Sequence, residues 1–203
     1  MIVHDLKNPL NIVINMSDNE FIIDSGYKML NMVNNILDVE KYDEIKMPIN
    51  LENINLRDLV EKSITKNNFL AKLQDIKIEN NIEKAIKINV DKEILERIFD
   101  NLLTNAIKFS PKDEKISIDA KIENNFISVS VSDCGIGIPD EFKDSIFDKF
   151  VQAQAKNSGV IRSTGLGLTF CKLAVESHGG KISFISDYEN KGTTFTFTIP
   201  ISL

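Results

Sequence analysis

The spacing of apolar positions divides the chain into two regions. In the first, apolar residues recur at three- and four-residue steps from Val3 to Val13 and again from Met29 to Leu37, a spacing typical of amphipathic helices. The polar segment 17–19 (SDN) between the two runs predicts a turn. Residues 1–44 are therefore predicted to form a helical hairpin.

This hairpin has apolar stripes on both arms. A lone hairpin cannot bury two stripes, so we expect it to pair with a second copy as a four-helix bundle in a homodimer. Packing of the hairpin on the rest of its own chain is the alternative that the pattern leaves open.

The second region, residues 45–203, alternates helical and extended patterns. Asn55 and Asp91 can each cap a helix, over residues 56–73 and 93–109. Two alternating runs, 115–122 and 126–133, joined by a polar turn at 123–125, predict an antiparallel hairpin. The other predicted elements are a strand from residue 76, a short helix over 141–150, a helix from Gly165 to Gly179, and strands over 181–187 and 193–200. This order predicts an α+β sandwich with a mixed sheet and helices on one face.

Composition excludes several classes of partner. The formal net charge is −6 and no basic run is present, which argues against binding to nucleic acid or to an anionic membrane. No apolar run approaches the roughly 20 residues that cross a bilayer, so we expect no membrane contact by this chain. The two cysteines form no disulfide framework, and we expect reduced thiols in a cytoplasmic setting.

The segment DNLLTNAIKFS carries the first candidate chemistry. Asn101, Asn105 and Lys108 are spaced i, i+4 and i+7, on one face of the predicted helix. Amide oxygens can ligate a hard cation and lysine can neutralise phosphate, so the face suits Mg²⁺ with a polyphosphate. Taken alone, the motif is more often a plain solvent-exposed face.

Two glycine-rich segments follow. In DCGIGIP, Asp133 ends a predicted strand, and Gly135 and Gly137 allow a tight turn or a close ligand. A carboxylate at that point can accept hydrogen bonds from an amino group such as that of adenine. In STGLGLTF, Gly165 and Gly167 open a helix, whose free N–H groups favour phosphate. Taken alone, DCGIGIP could be a plain turn and STGLGLTF could be a glycine-rich hinge.

The order of these motifs carries more information than any one of them. The N-x-x-x-N helix, the D-x-G-x-G turn, IFDKF at 146–150, the glycine-rich helix start and KGTTFTF follow one another along the chain. This series resembles the ATP-binding domain of sensor histidine kinases, an ATPase fold shared with gyrase, mismatch-repair and heat-shock chaperone ATPases. HDLKNPL, at residues 4–10, resembles the phosphoacceptor segment of the same family.

The resemblance implies a role for each matching position. Asn105 would hold Mg²⁺ with support from Asn101, and Asp133 would recognise the adenine amino group. The remaining ATP-binding positions that it implies are Lys108, Phe109, Gly135, Gly137, Arg162, Thr164, Gly165, Leu166, Gly167, Leu168 and Thr194.

The resemblance also implies a reaction. ATP would phosphorylate His4, with Asp5 fixing the imidazole tautomer, and the phosphoryl group would pass to an aspartate of a response-regulator receiver domain. Asn8, one helical turn after His4, would position water for dephosphorylation of that regulator. The hydrolysing relatives carry a glutamate base where Asn101 stands, so the resemblance favours a kinase over a hydrolase.

Several positions depart from the family pattern. Ser163 replaces a usual glycine, and Gln152 stands where many members have an arginine, for which Arg162 is a possible substitute. The hairpin is shorter than usual by about two helical turns in each arm. Only three residues precede His4 in this sequence, and we expect this chain to lack the usual lead-in helix and sensor. A non-catalytic module that docks a receiver domain therefore stays open as an alternative.

His178 lies at the end of a predicted helix. It is expected to interact favourably with the C-terminal end of the helix dipole.

Overall fold

A computed structural model describes residues 10–42, 47–151, 165–187 and 192–201. The chain divides into two compact units, Met1–Ile45 and Lys46–Leu203. Each unit is described by itself.

The described part of the first unit consists of two helices. Helix α1 covers residues 10–16, the segment 17–19 is not helical, and α2 spans Glu20–Lys41. A Cβ atom added at Gly26 of α2 would lie 2.5 Å from Cγ1 of Ile14 on α1, which shows that the helices pack closely there. The predicted turn therefore separates two helices, and the start of the predicted hairpin lies outside the described residues.

The second unit is built on a five-stranded mixed sheet. Its strands are β2 (Lys77–Asn80), β4 (Lys115–Glu123), β5 (Phe126–Ser132), β6 (Ile182–Ser186) and β7 (Thr193–Pro200). The strand order is β2-β4-β5-β7-β6, with β2 parallel to β4 and the other pairs antiparallel. Asn124 and Asn125 connect β4 to β5 with φ angles of 49° and 64°, a left-handed conformation that asparagine tolerates in a hairpin turn.

The helices of this unit are α3 (Leu56–Leu73), α4 (Lys92–Phe109), α5 (Asp140–Lys143) and α6 (Gly167–Ser177). Asn55 caps α3 and Asp91 caps α4, as predicted, because each side chain accepts a hydrogen bond from the amide three residues later. Strand alternation places Ile118, Val129 and Phe197 in the core. The ring of Phe99 on α4 meets that of Phe197 at 5.7 Å between centroids, so α4 packs on the inner face of the sheet.

Two local features differ from the prediction. A separate pair of short antiparallel strands, β1 (Glu52–Asn55) and β3 (Lys87–Val90), was not expected from the sequence. The helix predicted over residues 141–150 is wrong beyond Lys143, where the chain forms turns and reaches a φ of 64° at Phe150. The conformation of Phe150 is not that of a right-handed helix, and its amide donates to the carbonyl of Gly165.

Candidate nucleotide site

Helix α4 has two distinct faces. Leu102, Leu103 and Ile107 are buried, whereas Asn101 and Asn105 are half-buried. The two amides therefore lie on the side of the helix away from the packed core. The predicted separation of a polar face from an apolar face is present.

Lys108 lies on the polar side of α4 in an unusual environment for a lysine. Its ammonium is half-buried, 5.0 Å from the centroid of the Phe109 ring. Burial lowers the pKa of Lys108 below its ordinary value. Within the described parts of the chain no carboxylate pairs with this ammonium. A desolvated cation without a counter-ion favours a bound anion.

Asp133 follows β5 at the inner face of the sheet. Its Oδ1 accepts hydrogen bonds from the amides of Gly135 at 2.8 Å and Thr193 at 3.1 Å. Burial raises the pKa of Asp133, and these two bonds partly oppose that rise. Oδ2 has no partner among the described residues, so this oxygen is free to accept a hydrogen bond from a ligand.

Glycine is required at three places around Asp133. A Cβ at Gly135 would lie 2.8 Å from both Asp133 Oδ1 and the Phe109 carbonyl oxygen, and one at Gly192 would lie 2.3 Å from the Asp133 carbonyl oxygen. Gly137 has a φ of 76°. These close approaches bring the end of β5, the end of α4 and the start of β7 together.

The prediction for Thr194 is wrong. Its hydroxyl donates to Ser132 Oγ at 2.9 Å, on the opposite face of the sheet from Asp133. Side chains alternate along a strand, so the neighbouring Thr193 takes the inner face, where it is buried and bonds the carboxylate through its amide. Sequence reasoning missed Thr193 because only the register of β5 with β7 reveals it.

The glycine-rich start of α6 lies against α4. A Cβ at Gly167 would lie 3.0 Å from Asn101 Oδ1, so the two predicted elements are in contact. Gly165 has a φ of 70°, and its Cβ would lie 2.7 Å from the backbone of Phe150 and Val151. Leu166 is buried at the N-cap position and Leu168 is half-buried.

Two buried hydroxyls flank the same region. Ser110 Oγ, at the C-cap of α4, and Thr169 Oγ1, in the first turn of α6, have no hydrogen-bond partner among the described residues. Buried polar groups are normally satisfied. Within the described residues these two hydroxyls are therefore exceptions, and they directly follow Phe109 and Leu168 in the sequence.

His178 does not act as the sequence suggested. It is the C-cap of α6, but the ring is fully buried. Nδ1 lies 2.7 Å from the Ala174 carbonyl oxygen and Nε2 accepts from the Asp91 amide at 3.0 Å. This network requires a neutral ring with the proton on Nδ1, so the expected interaction of a cation with the helix dipole is wrong.

The remaining predicted residues lie outside the described parts of the chain. They are His4, Asp5, Asn8, Gln152, Arg162, Ser163 and Thr164. None of the helices in the described segments is long and apolar enough to cross a bilayer.

Comparison with known proteins places this site in a family. Residues 90–203, more than half of the chain, match the family described as histidine kinase-, DNA gyrase B- and HSP90-like ATPases. The sensor histidine kinase WalK of Bacillus subtilis (strain 168) is 32% identical over 176 residues, covering 85% of this chain and 28% of WalK. The autoinducer 2 sensor kinase/phosphatase LuxQ of Vibrio vulnificus (strain YJ016) is 33% identical over 203 residues, covering 97% of this chain and 24% of LuxQ.

A solved structure agrees with these sequence matches. The nucleotide-free catalytic domain of the histidine kinase ThkA superposes with a TM-score of 0.64 at 27% identity, over 75% of this chain and 96% of that domain. The chain spans only about a quarter of the length of WalK and LuxQ. It belongs to the histidine kinase-, DNA gyrase B- and HSP90-like ATPase family and carries the ATP-binding catalytic core of a sensor histidine kinase.

Proposed function

We propose that this chain is a protein-histidine kinase that transfers the γ-phosphoryl group of ATP to His4 and then to an aspartate of a response-regulator receiver domain. Residues 1–44 would carry the phosphoacceptor and residues 45–203 would bind ATP. The observation that carries the proposal is that three groups are linked to α4. Within the described residues, Oδ2 of Asp133 has no partner, and Gly135, which bonds Oδ1 of that carboxylate, approaches the Phe109 carbonyl. Lys108 carries a desolvated ammonium, and the glycine-rich start of α6 approaches Asn101.

Each of these groups matches a part of ATP. Asp133 Oδ2 would accept the adenine amino group, and Phe109 would pack near the base. Lys108 and the free amides at the start of α6, from Gly165 to Leu168, would contact phosphate. Arg162 and Thr164 are proposed to join them.

The amides of α4 fit a magnesium ion that arrives with the nucleotide. Asn105 would supply an inner-sphere oxygen and Asn101 would support it, since amide and phosphate oxygens are the ligands that Mg²⁺ prefers. When bound, the ion would neutralise charge on the transferred group. The described residues contain no group of three carboxylate, histidine or cysteine side chains able to hold a metal on their own.

The reaction is an in-line displacement. A neutral imidazole nitrogen of His4 would attack the γ-phosphorus, forming a P–N bond while the bond to the bridging oxygen breaks and ADP leaves. Asp5 would stabilise the cationic phosphoimidazole. Asn101 favours this outcome over hydrolysis, because an amide cannot take the proton of an attacking water.

Regulator dephosphorylation is a second proposed activity. Asn8 lies four residues after His4, so on a helix the two side chains share a face, and its amide could hold a water in line with an aspartyl phosphate. The relative LuxQ is named as a kinase/phosphatase. Asn8→Ala is expected to leave autophosphorylation within a few-fold of normal while slowing regulator dephosphorylation by about tenfold, or about 1.4 kcal/mol. The half-life of a phosphorylated receiver measures this, and equal half-lives with docking intact would exclude Asn8.

The first unit supports a homodimer. Ile22, Met29 and Ile36 recur every seven residues along α2, and all three side chains are exposed in the single chain. An apolar stripe at that spacing is suited to packing against a second pair of helices. The dimer would form through this hairpin.

Nucleotide titration tests the proposed site. Asn105→Ala should abolish measurable binding of Mg²⁺ with ATP, because it removes the proposed inner-sphere ligand. Asn89→Ala, which removes an exposed asparagine from β3, is the matched control and should bind normally. Unchanged affinity in Asn105→Ala would remove the site assignment.

The alternative function is a non-catalytic module that docks a receiver domain. Among the described residues, the ammonium of Lys108 pairs with no carboxylate and Oδ2 of Asp133 has no hydrogen-bond partner, and these two observations disfavour such a module, since neither group has a role where no nucleotide binds. Absence of nucleotide binding in the unmodified chain would favour it.

A further inference from the structure

The fully buried ring of His178 holds the start of α4. Nδ1–H donates to the Ala174 carbonyl oxygen within α6, and Nε2 accepts the Asp91 amide 87 residues earlier in the chain. Nothing in the proposed chemistry uses this histidine. Its one role in the geometry is to join the end of α6 to the cap of α4.

Asp91 is in turn connected to the segment that enters the second unit. Its Oδ1 caps α4 by accepting from the Ile94 amide at 3.0 Å, and its Oδ2 accepts from the Asn50 amide at 2.8 Å. Both carboxylate oxygens and the amide of Asp91 are therefore engaged. One residue links α4, α6 and the segment 47–50.

A second bond fixes the same segment to α6. Met47 is buried, and its amide donates to Ser177 Oγ at 3.1 Å. Ser177 is the last residue of α6. The segment 47–50 is thus held at both ends, by α6 through Ser177 and by α4 through Asp91.

Helices α4 and α6 are also the two helices of the nucleotide site. Asn101 and Asn105 lie on α4, and Gly167, which contacts Asn101, begins α6. The segment 47–50 begins two residues after the boundary between the units. The hydrogen bonds that hold this segment lie at the start of α4 and the end of α6, whereas the proposed nucleotide ligands lie further along α4 and at the start of α6.

We propose that Asp91, Ser177 and His178 form a clasp through which the segment 47–50 and the nucleotide site are coupled, with His178 as a positioning residue that acts through Asp91. Nucleotide binding tightens the clasp, and release of the segment lowers nucleotide affinity by the same factor, because coupling between two sites is reciprocal. The inference rests on the proposed nucleotide site.

Residue-resolved amide hydrogen exchange on the whole chain tests the coupling directly. With Mg²⁺ and a non-hydrolysable ATP analogue at saturation, exchange at the amides of Met47, Asn50 and Asp91 should slow at least threefold. The Asn81 amide, bonded to the Ile118 carbonyl away from the clasp, should not change. The sequence 47–50 contacts no proposed nucleotide ligand, so slowing there reports transmission.

Two conservative substitutions test the reverse direction. Asp91→Ser keeps one oxygen to cap α4 and loses the bond to Asn50, and Ser177→Ala loses only the bond to Met47. Each should weaken binding of the analogue at least threefold. Asn55→Ser is the matched control, since it keeps the cap of α3 and loses the side-chain bond to the Lys84 carbonyl, and its affinity should be normal.

Two substitutions test the two hydrogen bonds of His178 separately. His178→Gln places an amide oxygen near Nε2 and can still accept from Asp91, whereas His178→Asn places its donor near Nδ1 and leaves the Asp91 amide without an acceptor. A purely structural role predicts lower stability in both and equal affinity. The clasp predicts that nucleotide-induced protection of Met47 and Asn50 survives in His178→Gln and is lost in His178→Asn.

The outcomes separate the two proposals. If the unmodified chain binds the analogue but protection at Met47, Asn50 and Asp91 does not change, or if Asp91→Ser and Ser177→Ala bind normally, the clasp is wrong and the nucleotide site stands. If the unmodified chain binds no nucleotide, the proposed function fails and the clasp fails with it.

Discussion

At the scale of single residues, the site combines a carboxyl group and a lysine whose charged forms are both disfavoured by burial. Burial raises the pKa of Asp133 and lowers that of Lys108. Both shifts disfavour the charged forms and therefore cost stability in the free protein. Such a cost is typical of groups kept for binding.

Substitution of Asp133 should separate stability from binding. The raised pKa means that ionising Asp133 destabilises the folded chain, a cost absent at about pH 3 and fully present at about pH 7. Asp133→Asn lacks this cost, and its amide oxygen can still accept from Gly135 and Thr193. The free energy of unfolding of the variant relative to the unmodified chain should therefore rise between these pH values, while nucleotide affinity falls by about tenfold or more.

Chemical denaturation across pH and nucleotide titration measure these two effects. Asp119→Asn, which changes a carboxylate on the outer face of β4 that accepts from Asn81, serves as the control and should keep normal affinity. Normal nucleotide affinity in Asp133→Asn would contradict the role given to this carboxylate.

At the scale of elements, helix α6 has a glycine close to each end, and the two have different functions. A Cβ at Gly167 would meet the side chain of Asn101 at 3.0 Å, whereas a Cβ at Gly180, just past the helix, would lie 1.7 Å from the Thr198 carbonyl oxygen. A side chain can shift, but a strand backbone cannot move that far. The first contact therefore concerns the site and the second concerns the fold.

The same substitution at these two positions should give opposite results. Gly167→Ala should leave the free energy of unfolding within about 1 kcal/mol of normal, since alanine favours a helix, while weakening nucleotide binding through the displaced Asn101. Gly180→Ala should lower the free energy of unfolding by about 3 kcal/mol, because overpacking against β7 forces the backbone apart. Denaturant titration and nucleotide titration of both variants check this, and a stable Gly180→Ala would contradict the packing.

Local chemistry explains which elements were predictable. The caps at Asn55 and Asp91 and the turn at Asn124 depend on interactions within a few residues, so the sequence predicts them. The pairing of β1 with β3 depends on residues 38 positions apart at Glu52 and Val90, and each strand has only 4 residues.

In the candidate site, too, features that depend on nearby residues were predictable and features that depend on distant residues were not. The two faces of α4 follow from helical periodicity, but the bond between Asp133 and Thr193 joins residues 60 positions apart. A shift of one residue in the register of β7 determines whether Thr193 or Thr194 lies on the inner face of the sheet beside Asp133. The burial of His178 could not be predicted, because its partner Asp91 comes from a distant element.

At the scale of the whole molecule, the hairpin is proposed to bring two copies together. The stripe of Ile22, Met29 and Ile36 would be buried between them, at about 25 cal/mol per Å² of apolar area. A short hairpin buries few layers of apolar side chains at the dimer interface. We therefore expect a weak dimer that dissociates when the protein is diluted through the micromolar range.

Polar substitution in the stripe should shift this equilibrium. The double variant Ile22→Gln with Met29→Gln should be monomeric at concentrations where the unmodified chain is dimeric, because dimerisation would then bury two polar side chains in the apolar interface. Asn11→Gln, at an exposed polar position of α1, is the control. Sedimentation velocity measures the outcome, and a dimer that persists in the double variant would place the interface elsewhere.

The proposed kinase activity would depend on both regions of the chain. Asn105, on α4, is proposed to hold the metal, and His4, in the first region, is proposed to accept the phosphoryl group. Variants at these two positions therefore remove different steps.

Incubation with Mg²⁺ and γ-labelled ATP, followed by location of the label, tests the central claim most directly. The unmodified chain should acquire an acid-labile, base-stable label on the peptide that contains His4, as expected for a P–N bond. His4→Gln should bind nucleotide but remain unlabelled, and Asn105→Ala should lose both properties. Label that persists in His4→Gln, or release of free phosphate without any labelled protein, would contradict the assignment of this chain as a histidine kinase acting on His4.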